Sequence, residues 1–314
     1  MKKIPSITVI GSYAVGMTMV TERLPVAGET APGHDFTILH GGKGSNQAIA
    51  AARLGSKVHF VSCVGRDAFG DGAFELYKQE GIDSAGVKRS QTLPTGVGFV
   101  IVNESGENSI VIDIGACNDI NPEDIERLEP VIKQSDIVVL QLEICLGAVV
   151  HSAQRCHALG VPILLNPAPF QKIPDEIFAL CDYITPNETE ARLLCGLKPD
   201  AALDDEEVAR MLLDKGSKNV IITLGAEGAL ILNREQSVRV GGIRVEVKDT
   251  TGAGDTFSAA LATALSAGED LVSAVRFANF AAALSVTRYG VVPSIPSLRD
   301  VEEFMKREKA YEKE

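Results

Sequence analysis

The stretch Asp249-Thr250-Thr251-Gly252-Ala253-Gly254-Asp255 constrains this chain more than any other. It follows an alternating run through Val245 and Val247 and precedes a long apolar-periodic segment, so the pattern predicts a strand, a glycine-rich turn and a helix opening at an acid. Thr251, Gly252, Ala253 and Gly254 carry little or no side chain to keep an anion from the backbone N–H groups, and the positive end of a helix dipole adds to their pull. A carboxylate in such an anion hole opposes anion binding unless it has chemical work there, such as taking a proton from a hydroxyl that attacks a phosphoryl group. The plainer alternative is that Asp255 caps the helix and the glycines only make a turn.

A second stretch, Gly41-Gly42-Lys43-Gly44-Ser45-Asn46-Gln47, again opens a helix, expected to run from Asn46 to Leu54. Two glycine-rich helix entrances, one with a base and one with the donors Lys43 and Asn46, are what a two-substrate transfer enzyme needs. The 314-residue length allows one large α/β domain with a smaller appendage, and 45% hydrophobic with 23% charged residues is an ordinary globular composition. A net charge of −12 argues against nucleic acid or an anionic membrane as a partner, because both need a basic footprint.

Six cysteines (63, 117, 145, 156, 181 and 195) make no CxxC and no metal-like pairing with the five histidines, so free thiols in a reducing cytoplasm are expected. The start, Met1-Lys2-Lys3-Ile4-Pro5-Ser6, lacks the apolar region of a signal peptide, and the most apolar run, Ile137 to Val150, is too short to span a membrane and holds Glu143.

Ile7 to Ile10 reads as a buried strand, but Gly11 and Gly16 after it do not make GxGxxG, which argues against an NAD-dependent oxidoreductase, a third reading that absence of cofactor absorbance would remove. A turn-rich excursion through Pro25, Gly28, Pro32 and Gly33 follows. Later, Gly96–Val102 and Ser109–Ile114 predict a hairpin across the turn residues 103–108, which either makes a small separate sheet with the excursion or forms the edge of one large sheet. From residue 131 strands and helices alternate regularly, ending in two small-residue helices after Asp255 and an amphipathic C-terminal helix within Arg299–Glu314. Ser12, Glu143, Asn187, Gly225 and the 249–255 loop each follow a strand, where ligands of open α/β sheets sit.

On these motifs the chain resembles the ribokinase family of carbohydrate kinases over essentially its whole length. Gly41-Gly42-Lys43-Gly44 with Asn46 looks like the family's first signature and Asp249–Asp255 like its second. Pro186-Asn187-Glu188-Thr189-Glu190 looks like its magnesium-associated Asn-x-x-Glu, and Thr223-Leu224-Gly225 with Gly228 like its nucleotide-contacting turn. The resemblance implies an α/β fold, a doubly wound, mostly parallel sheet flanked by helices, with a small β-sheet lid. The core would comprise residues 1–12, 41–94 and 115–314, and the lid 13–40 and 95–114.

By the same resemblance the chain transfers the γ-phosphoryl of ATP to a primary hydroxyl of a small sugar. Asp255 would be the general base, and the N–H groups of Gly252, Ala253, Gly254 and Asp255 would stabilise the transferring group. Ser12, Ala14, Gly42, Lys43, Asn46 and Glu143 fall on sugar-binding positions, and Asn187, Thr223, Gly225, Gly228, Gly254 and Asn279 on nucleotide-binding ones. Asn187 and Glu190 would reach Mg²⁺ through water, although the same pair also reads as a helix capping box. Asp249, Thr251, Ser285, Arg288, Gly290 and Ser294 match a K⁺ site, and a homodimer joined through the lid is implied.

The chain departs from the family in one place. Ribokinase proper has Asn and Asp where this chain has Ala14 and Gly16, so D-ribose itself is in question. Asp113 on the predicted hairpin either replaces the missing acid or faces water. A nucleoside kinase of the same fold, or a non-catalytic sugar- or nucleotide-binding sensor, are the alternatives.

Overall fold

The computed structural model describes residues 3–105 and 107–311; the expectations placed on Met1, Lys2, Gly106 and residues 312–314 lie outside them. Along the chain run β1 (Ser6–Ile10), β2 (Ala14–Thr21), β3 (His34–Gly41), α1 (Lys43–Arg53), β4 (Lys57–Val64), α2 (Ala68–Gln79), β5 (Asp83–Arg89), β6 (Gly96–Asn103) and β7 (Asn108–Asp113). Then come α3 (Pro122–Arg127), α4 (Glu129–Ile132), β8 (Ile137–Leu140), α5 (Leu146–Ala158), β9 (Ile163–Leu165), α6 (Glu176–Leu180), β10 (Tyr183–Ile184), α7 (Glu188–Leu194) and α8 (Asp205–Asp214). The last third holds β11 (Asn219–Thr223), β12 (Gly228–Asn233), β13 (Ser237–Gly241), α9 (Ala253–Ser266), α10 (Leu271–Ser285), α11 (Val291–Ser294) and α12 (Leu298–Tyr311).

Nine strands form one sheet in the order β13-β12-β11-β10-β9-β8-β1-β4-β5, parallel except where β12 pairs with β11 and β13. The apolar runs predicted from sequence form it because both of its faces are covered. Ile7, Val9, Val139 and Ile221 point to the layer of α1, α2, α9 and α10; Ile10, Val138, Leu140 and Ile222 point to the layer of α5 to α8. Each fully buried aliphatic side chain contributes about 1.5–3 kcal/mol, so this two-sided alternation clamps both helical layers to the sheet.

From β1 the chain builds outward through β4 and β5, then returns to β8 on the other side, so the loops after β1 and β8 leave in opposite directions. That reversal opens a crevice at the carboxyl ends of these strands.

The excursion and the hairpin form a separate four-stranded sheet in the order β3-β2-β6-β7. Register places Leu39, Gly16, Gly98 and Ile112 in one row across it and Ile38, Met17, Phe99 and Val111 in the next, pointing to opposite faces. Asp113 pairs with Val97 and so lies on the face opposite Ala14 and Gly16; it is exposed, and its carboxylate accepts the Gly115 N–H at 2.9 Å. Of the two readings of Asp113, this placement matches the one that faces water.

Two expectations are corrected. Val245 and Val247 do not lie in a strand: residues 242–248 have no strand pairing, and their alternating apolar side chains line a cavity instead. Asp83–Arg89 forms an unforeseen strand that pairs with β4 as the last strand of the sheet; an edge position asks for little apolar content, which is why its polar sequence gives no signal.

Candidate active site

Helix α9 begins at Gly252, which adopts the left-handed backbone conformation (φ 79°), and no side chain caps its N-terminus. The Ala253 N–H turns back to the Thr250 carbonyl at 3.2 Å, and the first helical bond is Thr256 N–H to Gly252 C=O. The N–H groups of Gly254 and Asp255 therefore point out of the helix end. Gly254 is exposed, and a Cβ placed on it would meet nothing within 4 Å, which leaves the approach to these groups open.

The other glycine-rich entrance is built differently. At α1 the Lys43 N–H donates to Glu143 Oε2 at 2.8 Å, the Ser45 N–H to the Ser12 carbonyl at 2.8 Å, and Gly44 N–H to Ser12 Oγ at 3.4 Å. Ser12 Oγ itself donates to Glu143 Oε2. This helix end is satisfied by protein, so its glycines serve packing: a Cβ on Gly42 would lie 2.7 Å from Ala14 N, and one on Gly44 2.5 Å from Ser12 N. The partner that an acid in an apolar run needs is, for Glu143, the N-terminus of α1.

The two entrances meet at Asp255, which is buried (5% exposed). Asn46 Nδ2 donates to its Oδ2 at 2.9 Å, and Gln47 Nε2 to its Oδ1 at 3.0 Å. Asn46 Oδ1 is buried with no partner among the described residues, an acceptor that a substrate hydroxyl would satisfy. Lys43 completes the cluster: the Asp255 carboxylate raises its pKa against the opposing effect of burial, with Glu143 and Glu190 adding to the rise.

Asn187 and Glu190 form a full capping box on α7, with Glu190 N–H to Asn187 Oδ1 at 2.8 Å and Asn187 N–H to Glu190 Oε2 at 2.9 Å. Burial raises the Glu190 carboxyl above the usual range, more than the Asn187 N–H and Lys43 lower it. Among the described residues no cluster of three or more His, Cys, Asp or Glu side chains is arranged to hold a metal alone. A magnesium ion would thus need nucleotide oxygens and water beside Asn187 and Glu190.

Beyond α9 lies a cavity of about 520 Å³. Thr223, Gly225, Gly228, Gly254 and Asn279 line it together, while Asn187 touches it only by pairing with Thr223 in an isolated parallel bridge. Asn279 is fixed there by donating to the carbonyls of Val240 and Gly241 at 3.2 and 3.1 Å. The apolar wall comes from Ile243, Val245, Val247, Phe257, Ala282 and Val286, which sequence reasoning did not assign. An apolar-walled cavity beside an uncapped helix end suits a nucleotide, with the base in the cavity and phosphates at the N–H groups.

The residues matched to a K⁺ site are brought together only in part. Asp249 joins two loops by accepting Thr251 N–H at 2.9 Å and Gly290 N–H at 3.0 Å. Burial would raise its carboxyl, but hydrogen bonds from Thr251 and the Gly290 N–H outweigh it and hold the pKa below the usual range. The Ser285 and Ser294 hydroxyls turn to the carbonyls of Ala282 and Val291, and Arg288 is exposed.

The family model "pfkB family carbohydrate kinase" matches residues 5–298. A ribokinase of Haemophilus influenzae is 40% identical over 96% of this chain and 98% of its own, and a deoxyribokinase of Salmonella typhi is 39% identical over 95% and 98%. The solved structure of an Arabidopsis thaliana ribokinase complexed with ribose and ATP superposes with a TM-score of 0.89 at 32% identity, covering 97% of this chain and 99% of that one. With this likeness over nearly its full length, the chain belongs to the pfkB family of carbohydrate kinases, phosphotransferases with an alcohol group as acceptor.

Proposed function

We propose that this chain transfers the γ-phosphoryl of Mg-ATP to a primary hydroxyl of a small sugar at Asp255. The observation that carries the reading is the buried carboxylate set between the open N-terminus of α9 and the unsatisfied amide oxygen of Asn46. The acceptor's O–H proton passes to Asp255 Oδ2 as its oxygen bonds to phosphorus and the bond to the ADP oxygen breaks. The N–H groups of Gly254 and Asp255 hold the charge that gathers on the transferring group, while the Ala253 N–H, expected to share that role, is bonded to the Thr250 carbonyl. Mg²⁺ on the nucleotide would neutralise phosphate charge, with Asn187 and Glu190 reaching it through water.

The acceptor is read on one side by Ser12, Lys43, Asn46 and Glu143 and on the other by the lid row Leu39, Gly16, Gly98 and Ile112, which offers no polar side chain. Ala14 lies on the same face as Gly16. A sugar with two adjacent hydroxyls turned to this row forgoes charged hydrogen bonds of about 1.5–3 kcal/mol each. The reading favoured here is a less hydroxylated acceptor than ribose. A nucleoside, whose base would use the open space over Gly16 and Gly98, is the second reading. Turnover of 2-deoxyribose should exceed that of ribose in kcat/KM. In Gly16→Asp, whose Cβ has room (3.8 Å from the Leu39 carbonyl), the ratio of ribose to deoxyribose should rise by about 10-fold or more. Equal ratios in both proteins would remove position 16 from specificity.

The opposite lid face carries Ile38 (50% exposed), Phe99 (52%) and Val111 (71%) in one row. Such a row supports a homodimer joined through the lids. Sedimentation should find a dimer for the native chain and a monomer for Phe99→Asp; a native monomer would reject the idea. K⁺ activation is proposed from the family resemblance, with the loops joined by Asp249 as the cation's surroundings. A cytoplasmic setting fits the six free thiols, and among the described residues no helix is long and apolar enough to cross a membrane.

A further inference from the structure

Beneath Asp255 lies a chain of side-chain amides that the phosphoryl-transfer mechanism above does not use. Asn166, just past β9, donates Nδ2 to the Thr185 carbonyl at 3.1 Å. Its Oδ1 accepts Gln47 Nε2 at 3.1 Å, and the same Nε2 donates to Asp255 Oδ1 at 3.0 Å. Gln47 Oε1 in turn accepts Gln141 Nε2 at 2.6 Å. Gln47 and Gln141 are fully buried, Asn166 is 5% and Thr185 2% exposed. Gly11 leaves the room for Gln141, since a Cβ there would lie 1.9 Å from Gln141 Oε1.

The polarity of this chain follows from its anchor. A backbone carbonyl can only accept, so Asn166 must turn its NH₂ to Thr185 and its oxygen to Gln47. Gln47 must then present its NH₂ to Asn166 and Asp255 and its oxygen to Gln141. One carbonyl at the end of β10 thereby dictates that Asp255 Oδ1 faces a donor. The other oxygen, Oδ2, has only Asn46 as a partner among the described residues, and the oxygen of Asn46 itself has none among them.

We infer that Gln47, held by Asn166 and Gln141, is a positioning residue that fixes the Asp255 carboxylate through Oδ1 and turns Oδ2 toward the acceptor hydroxyl. Oδ1 is tied into the interior, so Oδ2 is the atom that takes the proton. The inference rests on the reading of Asp255 as the base, which Asp255→Asn tests separately: wild-type kcat in that variant would reject the base and this inference with it.

The test is kcat and KM for wild type, Gln47→Met and Gln47→Glu, with thermal unfolding of each. Gln47→Met removes the donor to Oδ1, and Gln47→Glu sets an acceptor against it. The kcat should fall by about 10- to 100-fold in Gln47→Met as the base loses alignment, and farther in Gln47→Glu, while KM for ATP stays within about 2-fold. A merely structural Gln47 would lower thermal stability and leave kcat of the folded protein at the wild-type level, and that result in both folded variants overturns the proposal. Should neither variant fold, Gln141→Met decides: it removes the donor that orients Gln47 without touching Asp255. Its kcat falls at unchanged KM for ATP if the chain orients the base and stays at the wild-type level if it does not.

Discussion

Asp255→Asn is expected to lower kcat by about 10²–10⁴ while leaving the fold and ATP binding nearly unchanged. The substitution keeps shape and removes only the ability to take a proton. Its one local conflict is an NH₂ group facing Asn46 Nδ2, where Oδ2 had accepted. Asn46 can resolve this by turning its amide, because its Oδ1 has no other partner to lose among the described residues. Gln47 still finds an acceptor in the Oδ1 of the new amide. Steady-state kinetics with calorimetric titration of ATP separate the two effects. Retained kcat would mean that the hydroxyl loses its proton elsewhere; lost ATP binding would mean that Asp255 is structural.

The two glycine-rich entrances should respond to the same change in opposite ways. In Gly44→Ala the new methyl would lie 2.5 Å from Ser12 N and 2.6 Å from Gly11 C, both backbone atoms that cannot swing aside. Overpacking of this kind costs about 1–3 kcal/mol, so thermal unfolding should shift down clearly. In Gly254→Ala the methyl meets no protein atom within 4 Å, and alanine is the better helix former by about 0.5–1 kcal/mol. This variant should be as stable as the native chain or more so. Its methyl, however, stands at the helix end where the transferring group must reach the N–H groups, and loss of such a contact lowers kcat by about 10²–10³. A stable, fully active Gly254→Ala protein would show that the end of α9 is not the anion hole.

Much of this was legible in the residues. The alternation of apolar strands with helices gave the parallel sheet, and the turn residues between two β-rich runs gave the separate hairpin. Both are local patterns whose period is set by backbone geometry. The acid after Gly252-Ala253-Gly254 was legible for the same reason, since a short sequence holds both the turn and the helix start. Val245 and Val247 misled because alternation marks any extended segment with two unlike faces, and here the apolar face lines a cavity and does not pair in a sheet. Likewise the glycines at 42 and 44 look like those at 252 and 254, and only tertiary packing reveals that Ser12 and Glu143 already fill the first entrance.

The amides under Asp255 were hardest to see. Gln47, Gln141 and Asn166 lie far apart in sequence, and each alone is an unremarkable polar residue near a strand or helix end. A polar residue closing the apolar run Ile163–Leu165 was the available signal for Asn166, because a buried amide must find partners. Which partners it finds depends on four parallel strands ending at one level, information that no single window of sequence contains.

The measurement that bears most directly on the whole account is phosphorus NMR of the native chain incubated with Mg-ATP and a panel of pentoses, deoxypentoses, ketohexoses and nucleosides. The account predicts a phosphate-monoester signal on one small sugar, growing in step with ADP and absent with Asp255→Asn. ATP that stays intact with every acceptor, or ADP that appears with free phosphate and no phosphorylated sugar, would contradict it.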